Sequence, residues 1–297
     1  MIQDLAPLHF ENSYHSVQPE TGDRIISMKD DKVLIAGKLT GAKPPEGRME
    51  SSHEESGRSQ DGIELPRFED FSESVQRDSA FIYLFSISGG RYFLCRNLEL
   101  TGYRYEKGTA LRGSAPQHLV YAALVGMQLG RWYAAQRFCG ACGHPMVPDE
   151  RERMLRCPSC GQMVYPKICP CVIVGVIHDG KILVSHYRGG FTDHYALIAG
   201  FAEIGETIEE TVIREVYEET KLHVKNLRYY KSQPWPYSDS LLFGFFAELD
   251  GTENIVIQED ELSMAKWVTP EEIYEKPNHF SLTNEMLYVF KEEYGRV

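Results

Sequence analysis

GFAEIGETIEETVIREVYEETKL, residues 200–222, frames the reading of the rest of the chain. Its second half consists of good helix formers, and at about 100° per residue Glu215, Glu218 and Glu219 stand at i, i+3 and i+4 on one face. Three carboxylates therefore point into one volume. Ile208, Val212 and Val216 mark the arc that faces a core, and Glu215 and Glu219 fall on or beside that arc. Charges placed there need compensation, because a partly buried carboxylate left alone is costly or takes up a proton. Hard divalent cations held by oxygen ligands supply that compensation most simply. The competing reading is a solvated acidic helix face; the glycine turn before the cluster and the arginine inside it count against that.

The chain has 297 residues, enough for two domains and a sizeable core. Hydrophobic residues make up 42% and charged residues 25%, the balance of an ordinary soluble protein. No apolar run reaches membrane-spanning length, and MIQDLAPLHFENSY lacks the basic start and apolar stretch of a signal peptide, so a cytoplasmic protein without membrane partners is expected. A formal charge of -12 argues against a broad electrostatic grip on nucleic acid. An anionic substrate would have to be met locally, by metal and a few basic groups. Seven cysteines in such a setting suggest thiols and metal more than disulfides.

Residues 1–135 read as a β-rich domain with one closing helix. Asp31–Leu39 is a strand, and Ala80–Leu100 a hairpin turning on Gly89-Gly90. Between them, residues 41–62 form a polar Pro/Gly/Ser-rich loop in which His53 is a solvated residue. Ser114-Ala115-Pro116-Gln117 reads as a capping box opening a helix to about Gln136, with Leu119, Ala123, Met127 and Gly130 on its packing face.

Residues 136–167 carry Cys139-x-x-Cys142 and Cys157-x-x-Cys160, each pair followed by glycine. Two such knuckles bring four thiolates into a tetrahedron around one Zn²⁺ per chain, a closed and therefore structural site. The spacer of 14 residues is slightly shorter than the usual pattern. A redox pair or disulfides form the alternative, which duplicated knuckles disfavour. His144 reads as a loop residue, and Cys95, Cys169 and Cys171 as packing or free thiols.

Residues 168–297 alternate strands and helices. Cys171–Tyr187 is a hairpin closing on Asp179-Gly180; Leu241–Leu249, Asn254–Ile257 and Met264–Val268 are further strands. Thr269-Pro270-Glu271-Glu272 starts a helix, and another runs from about Ser281 to Glu293. A mixed sheet with helices on both faces follows, an α/β/α sandwich. Lys231–Leu242, with prolines on both sides of Trp235, reads as a rigid loop presenting an aromatic plate.

Gly200, Glu206, Arg214-Glu215-Val216-Tyr217-Glu218-Glu219 and Leu222 closely resemble the Nudix box of the Nudix hydrolases. One position departs: Lys221 stands where the family usually has glycine, at a helix end where a left-handed backbone is usual, at a cost of roughly 1 kcal/mol. Ser232, Gln233, Pro234, Trp235, Pro236 and Ser240 resemble the SQPWPFPxS array of NADH pyrophosphatases, with Tyr237 for phenylalanine and Ser238 for the last proline. With the ribbon and the Tyr165–Pro170 segment, the resemblance runs from about Ser114 to the C-terminus.

The resemblance implies cleavage of NADH or NAD⁺ to NMN(H) and AMP, the same chemistry on NAD caps of RNA 5′ ends, and a homodimer. It implies that Glu215, Glu218 and Glu219, joined by Glu261, hold Mg²⁺ or Mn²⁺, with Glu206 and Arg214 orienting helix and loop. The general base lies among these glutamates. Glu261 is also readable as a solvated acid beside Glu259 and Asp260. Phe201, Tyr165, Trp235, Gln233 and Ser240 are the implied substrate-binding residues, with core packing as the alternative for the aromatics. A catalytically silent nucleotide-binding module, its ribbon docking nucleic acid or protein, is expected to carry a damaged REVYEE; here the motif is intact.

Overall fold

The computed structural model describes residues 1–39, 62–188, 194–258, 260–273 and 280–295, so the loop around His53 and the acid Glu259 lie outside the described residues. The chain divides into two compact units, Met1–Ile2 with Ile168–Val297, and Gln3–Lys167. Among the described residues no helix is long and apolar enough to cross a membrane.

In the C-terminal unit the strand Cys169–His178 is central and alternates with period two. Val172, Val174 and Val176 turn to one core, Cys171 and Ile173 to the other. It runs parallel to Ser240–Asp250 and antiparallel to Ile198–Phe201, and joins Lys181–Tyr187 through a tight turn. That turn places Asp179 and Gly180 at φ 45° and 72°, the doubly left-handed backbone that Asp-Gly favours. His223–Trp235 and Leu262–Val268 close the two edges of the sheet. The helix Ile208–Thr220 buries Val212 and Val216 against the valine face; Leu282–Tyr294 buries Leu282, Met286, Leu287 and Phe290 against the other. The expected α/β/α sandwich with a mixed sheet is therefore present.

Three expectations for this unit fail. The helix expected to start at Thr269 is a three-residue 3₁₀ turn, Pro270–Glu272, ending at an extended Ile273. Asn254–Ile257 forms no strand. Its apolar alternation is satisfied by packing, with Ile255 and Ile257 against the helix-covered core. Its backbone serves the helix: Val256 N–H donates to Thr220 O at 3.0 Å, and Gln258 N–H to Glu219 O at 3.0 Å. The last carbonyls of a helix lack intrahelical donors, and this segment supplies two. The rigid loop expected over Lys231–Leu242 is mostly sheet, because the His223 strand runs on to Trp235 and pairs with the strand that begins at Ser240. Pro234 is tolerated because this is an edge strand, where a missing N–H need not break a ladder bond.

The N-terminal unit holds a seven-stranded sheet in the order Phe10–Glu11, Ile82–Ile87, Gly90–Arg96, Arg24–Lys29, Lys32–Gly37, Ile63–Glu64, with Arg104–Lys107 also paired to Lys32–Gly37. The hairpin forms, but it turns on Ser88 and Gly89 at φ 47° and 82°, and Gly90 is already in the strand. Arg24–Lys29 and Arg104–Lys107 are strands that sequence reading misses: the first is buried from Ile25 to Met28 and so shows no alternation, and the second is mostly charged. The helix Gln117–Ala135 crosses the sheet closely: a Cβ on Gly126 would lie 2.3 Å from Ile26 Cδ1, and one on Gly130 2.1 Å from Met28 Sδ. Its capping box does not form. Pro116 is itself the cap residue, Gln117 is the first helical residue, and Ser114 stands too early to reach the free amides.

Candidate metal and catalytic site

Thr207 sets the start of the glutamate helix. Its hydroxyl accepts the Glu210 N–H at 3.2 Å, and Glu210 Oε2 accepts the Thr207 N–H at 2.7 Å. With the first turn pinned, Arg214 becomes the hub. Its Nε donates to Glu206 Oε1 at 2.5 Å, its Nη2 to Glu206 Oε2 at 3.0 Å and Phe201 O at 2.8 Å, and its Nη1 to Glu215 Oε1 at 2.8 Å and Glu218 Oε2 at 3.0 Å. Glu206 also takes the Glu203 N–H and the Thr211 hydroxyl, each at 3.0 Å. The Arg214 guanidinium, followed by the Glu203 amide, holds the Glu206 carboxyl down to about 2. One cation thus ties loop to helix and lies between Glu215 and Glu218.

Glu215 lies across Gly200. A Cβ at position 200 would fall 1.9 Å from the Glu215 carboxyl carbon, so any larger residue there would have to displace that carboxylate. Burial raises the Glu215 pKa, with Arg214 opposing.

Glu219 is different. It is 1% exposed, and neither carboxylate oxygen has a hydrogen bond of ordinary geometry. Burial, reinforced by Glu215 and Glu261, pushes its carboxyl up to about 8, although the Ala199 amide and the Tyr187 hydroxyl lie near enough to oppose that weakly. Tyr187 instead directs its hydroxyl toward Leu197 O and Ala199 O, each at 3.3 Å. Sequence reading misses Tyr187 and Thr211. Strand alternation gives the face on which Tyr187 lies, but not which helical residue comes to rest above it.

The chemistry of these donors suits a divalent cation, while among the described residues only the four ribbon cysteines bring three or more ligand atoms within 4.8 Å of one another. Glu219 offers buried lone pairs with no hydrogen bond of ordinary geometry, Glu215 acts on it, Glu218 is solvent-exposed, and the acids outnumber the single guanidinium. Glu261 acts on both Glu215 and Glu219. Its loop is tied back to the helix through the Gln258 amide on Glu219 O, and its carbonyl accepts the Arg188 N–H at 2.8 Å.

Phe201 is 51% exposed and follows Gly200 directly. Phe201, Cys171, Leu242 and Gln233 stand opposite one another across four neighbouring strands, so the aromatic and the tryptophan segment share one end of the sheet. Trp235 packs its ring 5.0 Å from Tyr237 and 5.8 Å from Phe280. Gln233 is fully buried, its amide donating to Phe280 O at 2.8 Å and accepting the Leu282 N–H at 2.7 Å, which makes it an anchor for the last helix. Ser240 is buried with its hydroxyl 2.8 Å from that of Ser238. Tyr165 belongs to the other unit, where it is 54% exposed and its hydroxyl donates to Glu152 Oε2 at 2.8 Å.

The helix ends at Lys221 in the left-handed conformation, φ 59° and ψ 16°, as its departure from glycine implies. Its ammonium lies 5.0 Å from the Tyr217 ring centroid, which returns part of the cost. Lys221→Gly is expected to raise stability by about 0.5–1 kcal/mol in denaturant unfolding with kcat unchanged. A destabilised variant would mean that the Tyr217 contact outweighs the backbone strain.

In the ribbon, Cys139, Cys142, Cys157 and Cys160 have all four sulfurs within 4.8 Å of one another. The contacts Cys139–Cys160, Cys142–Cys157 and Cys142–Cys160 measure 3.5, 3.4 and 3.4 Å. Disulfides would require about 2.05 Å, whereas a tetrahedron with Zn–S bonds of about 2.3 Å has edges of roughly 3.8 Å. Both knuckles fold alike: Cys139 N–H to His144 O and Gly143 N–H to Cys139 O, then Cys157 N–H to Gln162 O and Gly161 N–H to Cys157 O. His144 contributes its backbone carbonyl to that fold. Amides of Cys160 and Ser159 hold the Cys157 thiol down to about 6; at Cys160 the Gln162 amide also lowers, but neighbouring sulfurs prevail and push it up to about 12. Four thiols so arranged cannot all ionise without a cation, and zinc fits.

Comparison with known proteins matches two family models to the chain. The family model of the NUDIX domain matches residues 170–289, and that of the NADH pyrophosphatase zinc ribbon domain matches residues 134–165. Relatives from Salmonella paratyphi B and Salmonella newport, each called NAD-capped RNA hydrolase NudC, are 45% identical over 142 residues, 48% of this chain and 55% of their own. The match thus spans about half the length of these relatives. A crystal structure of a NUDIX hydrolase from Nitrosomonas europaea aligns with TM-score 0.46 and 22% identity, covering 53% of this chain and 91% of that one.

Proposed function

The chain belongs to the Nudix superfamily, with an NADH pyrophosphatase zinc ribbon ahead of its Nudix domain, and from that premise we propose that it hydrolyses the pyrophosphate bond of NAD(H), giving NMN(H) and AMP. The observation that carries the reading is the buried Glu219 carboxylate, which makes no hydrogen bond of ordinary geometry and is acted on by both Glu215 and Glu261. Glu215, Glu218, Glu219 and Glu261 would hold Mg²⁺ or Mn²⁺. A bound divalent ion neutralises phosphoryl oxygens and acidifies water. Arg214 and Glu206 keep the loop and helix in one geometry, so the carboxylates are preorganised. A glutamate of the cluster takes the proton from the attacking water, whose oxygen joins one phosphorus as the bridging oxygen leaves on the other. Phe201 offers a flat face to nicotinamide or adenine, as Tyr165 and Trp235 do by resemblance, while Gln233 and Ser240 shape the strand that carries Trp235.

NAD-capped RNA is the second reading, favoured by the names of the relatives and by the exposure of Phe201 and Glu218. Both readings suit a cytoplasmic homodimer. Ile204, 105% exposed, and Ile213 and Tyr217, each 43% exposed, lie with Phe201 on the loop and helix that carry the glutamates, an apolar surface that a second copy would cover.

The test is steady-state hydrolysis of NADH, NAD⁺, ADP-ribose and an NAD-capped RNA, with products identified by mass. NADH giving NMNH and AMP with the highest kcat/KM is the expected result. Capped RNA preferred by orders of magnitude would make decapping the main activity, and no turnover of any substrate would overturn the proposal. Phe201→Ala is expected to raise KM about tenfold with a smaller change in kcat, the loss of one base-stacking plate. An unchanged KM would remove Phe201 from recognition.

A further inference from the structure

The N-terminal unit contains a cavity of about 810 Å³, within the range of small-molecule sites. Arg24 and Arg67 both line it, and they face each other across an antiparallel bridge. Residues directly opposite across such a bridge bring their Cβ atoms to about 5 Å, and like charges there repel. Among the described residues neither guanidinium has a carboxylate within the 4.0 Å of an ion pair. Arg24 leans on the Tyr92 ring, its guanidinium carbon 5.8 Å from the centroid; Arg67 is exposed.

The remaining lining gives the ligand a shape. Ile63, Leu65, Leu100 and Leu119 form apolar wall, while Glu64 and Asp70 add two carboxylates. Asp70 Oδ2 already accepts the Arg67 N–H at 2.8 Å. Bare inorganic anions would be repelled by those acids. A molecule carrying both a phosphate and hydroxyl groups satisfies every part: the phosphate joins the two guanidinium forks, and its hydroxyls donate to the carboxylates. From this arrangement we infer that the N-terminal unit binds a nucleotide or sugar phosphate in the Arg24–Arg67 cavity, separately from the glutamate cluster.

The experiment is calorimetric titration of the full chain, without added divalent ions, with AMP, glucose 6-phosphate and adenosine. AMP or glucose 6-phosphate is expected to bind at least tenfold more tightly than adenosine, and which of the two is tighter tells nucleotide from sugar phosphate. Arg67→Ala, a change at an exposed side chain, should weaken that binding about tenfold or more, as loss of a charge-assisted pair does, with the melting temperature and NADH turnover unchanged. Phe201→Ala should leave it intact. The inference fails if neither phosphate binds more tightly than adenosine, if Arg67→Ala changes nothing, or if the affinity follows Phe201→Ala, which would put the ligand in the Nudix site. Arg24→Lys serves as the second variant: it keeps the charge and loses the fork, so the predicted loss is smaller than for Arg67→Ala.

Discussion

Glu219→Gln should lower kcat by about two to three orders of magnitude, the scale seen when a preorganised electrostatic contact to a transition state is lost, and should change the pH dependence of stability as well. The response of stability to divalent ions then separates a metal-binding carboxylate from a merely buried one. Without metal, the folded carboxyl titrates at about 8 against an ordinary 4.5. Because the folded value is raised, the folded chain retains a proton that the unfolded chain releases. The resulting stability is complete below pH 4.5 and is lost as pH rises through about 8. Glutamine cannot ionise, so at pH 9 the metal-free variant should melt above the metal-free wild type, and at pH 4 the two should melt alike. Mg²⁺ or Mn²⁺ should raise the melting temperature of the wild type far more than that of the variant. Equal stabilisation of both by the divalent ion would remove Glu219 from the ligand set, whatever happened to turnover.

Zinc removal is the second large effect. Purified protein should carry about one zinc per chain, and strong chelation or Cys157→Ser should unfold the ribbon. Structural zinc binding is worth about 10–16 kcal/mol, and losing even ~4 kcal/mol of it would lower the melting temperature by roughly 8–16 °C in a unit of this size. The damage should spread beyond the knuckles. Arg153, in the spacer between the two cysteine pairs, donates to Asn12 Oδ1 at 2.8 Å, to Asn12 O at 3.2 Å and to the Leu84 carbonyl on the neighbouring sheet. Tyr14 O–H adds a bond to Asp149 O at 3.1 Å. The ribbon and the N-terminal sheet should therefore lose hydrogen-exchange protection together. A chelated protein with one lost metal and an unchanged melting curve would leave zinc without a structural role.

Much of the fold was legible where local chemistry and burial agree. The glutamate helix could be placed from its period, the Cys171–Tyr187 hairpin from Asp-Gly, and the ribbon from paired knuckles, because each signal lies within a few residues. Two misreadings have one cause. Asn254–Ile257 alternates like a strand and Lys231–Trp235 is interrupted by proline like a loop, yet the first serves a helix end and the second is an edge strand. Backbone partners across the fold decided both, and no local pattern encodes a partner far away in sequence.

The candidate site divides in the same way. By itself the sequence determined which acids share a helix face, that four cysteines can hold one metal, and that Lys221 would sit in a left-handed turn; these follow from helical period, sulfur chemistry and backbone sterics. Only the tertiary structure decided that Arg214 spans Glu206, Glu215 and Glu218, that Glu219 is buried with no hydrogen bond of ordinary geometry, that Tyr187 lies near it, and that two arginines face one cavity in the other unit. Desolvation and charge pairing depend on what lies within a few ångströms in space, and those distances exist only once the helix is seated on the sheet.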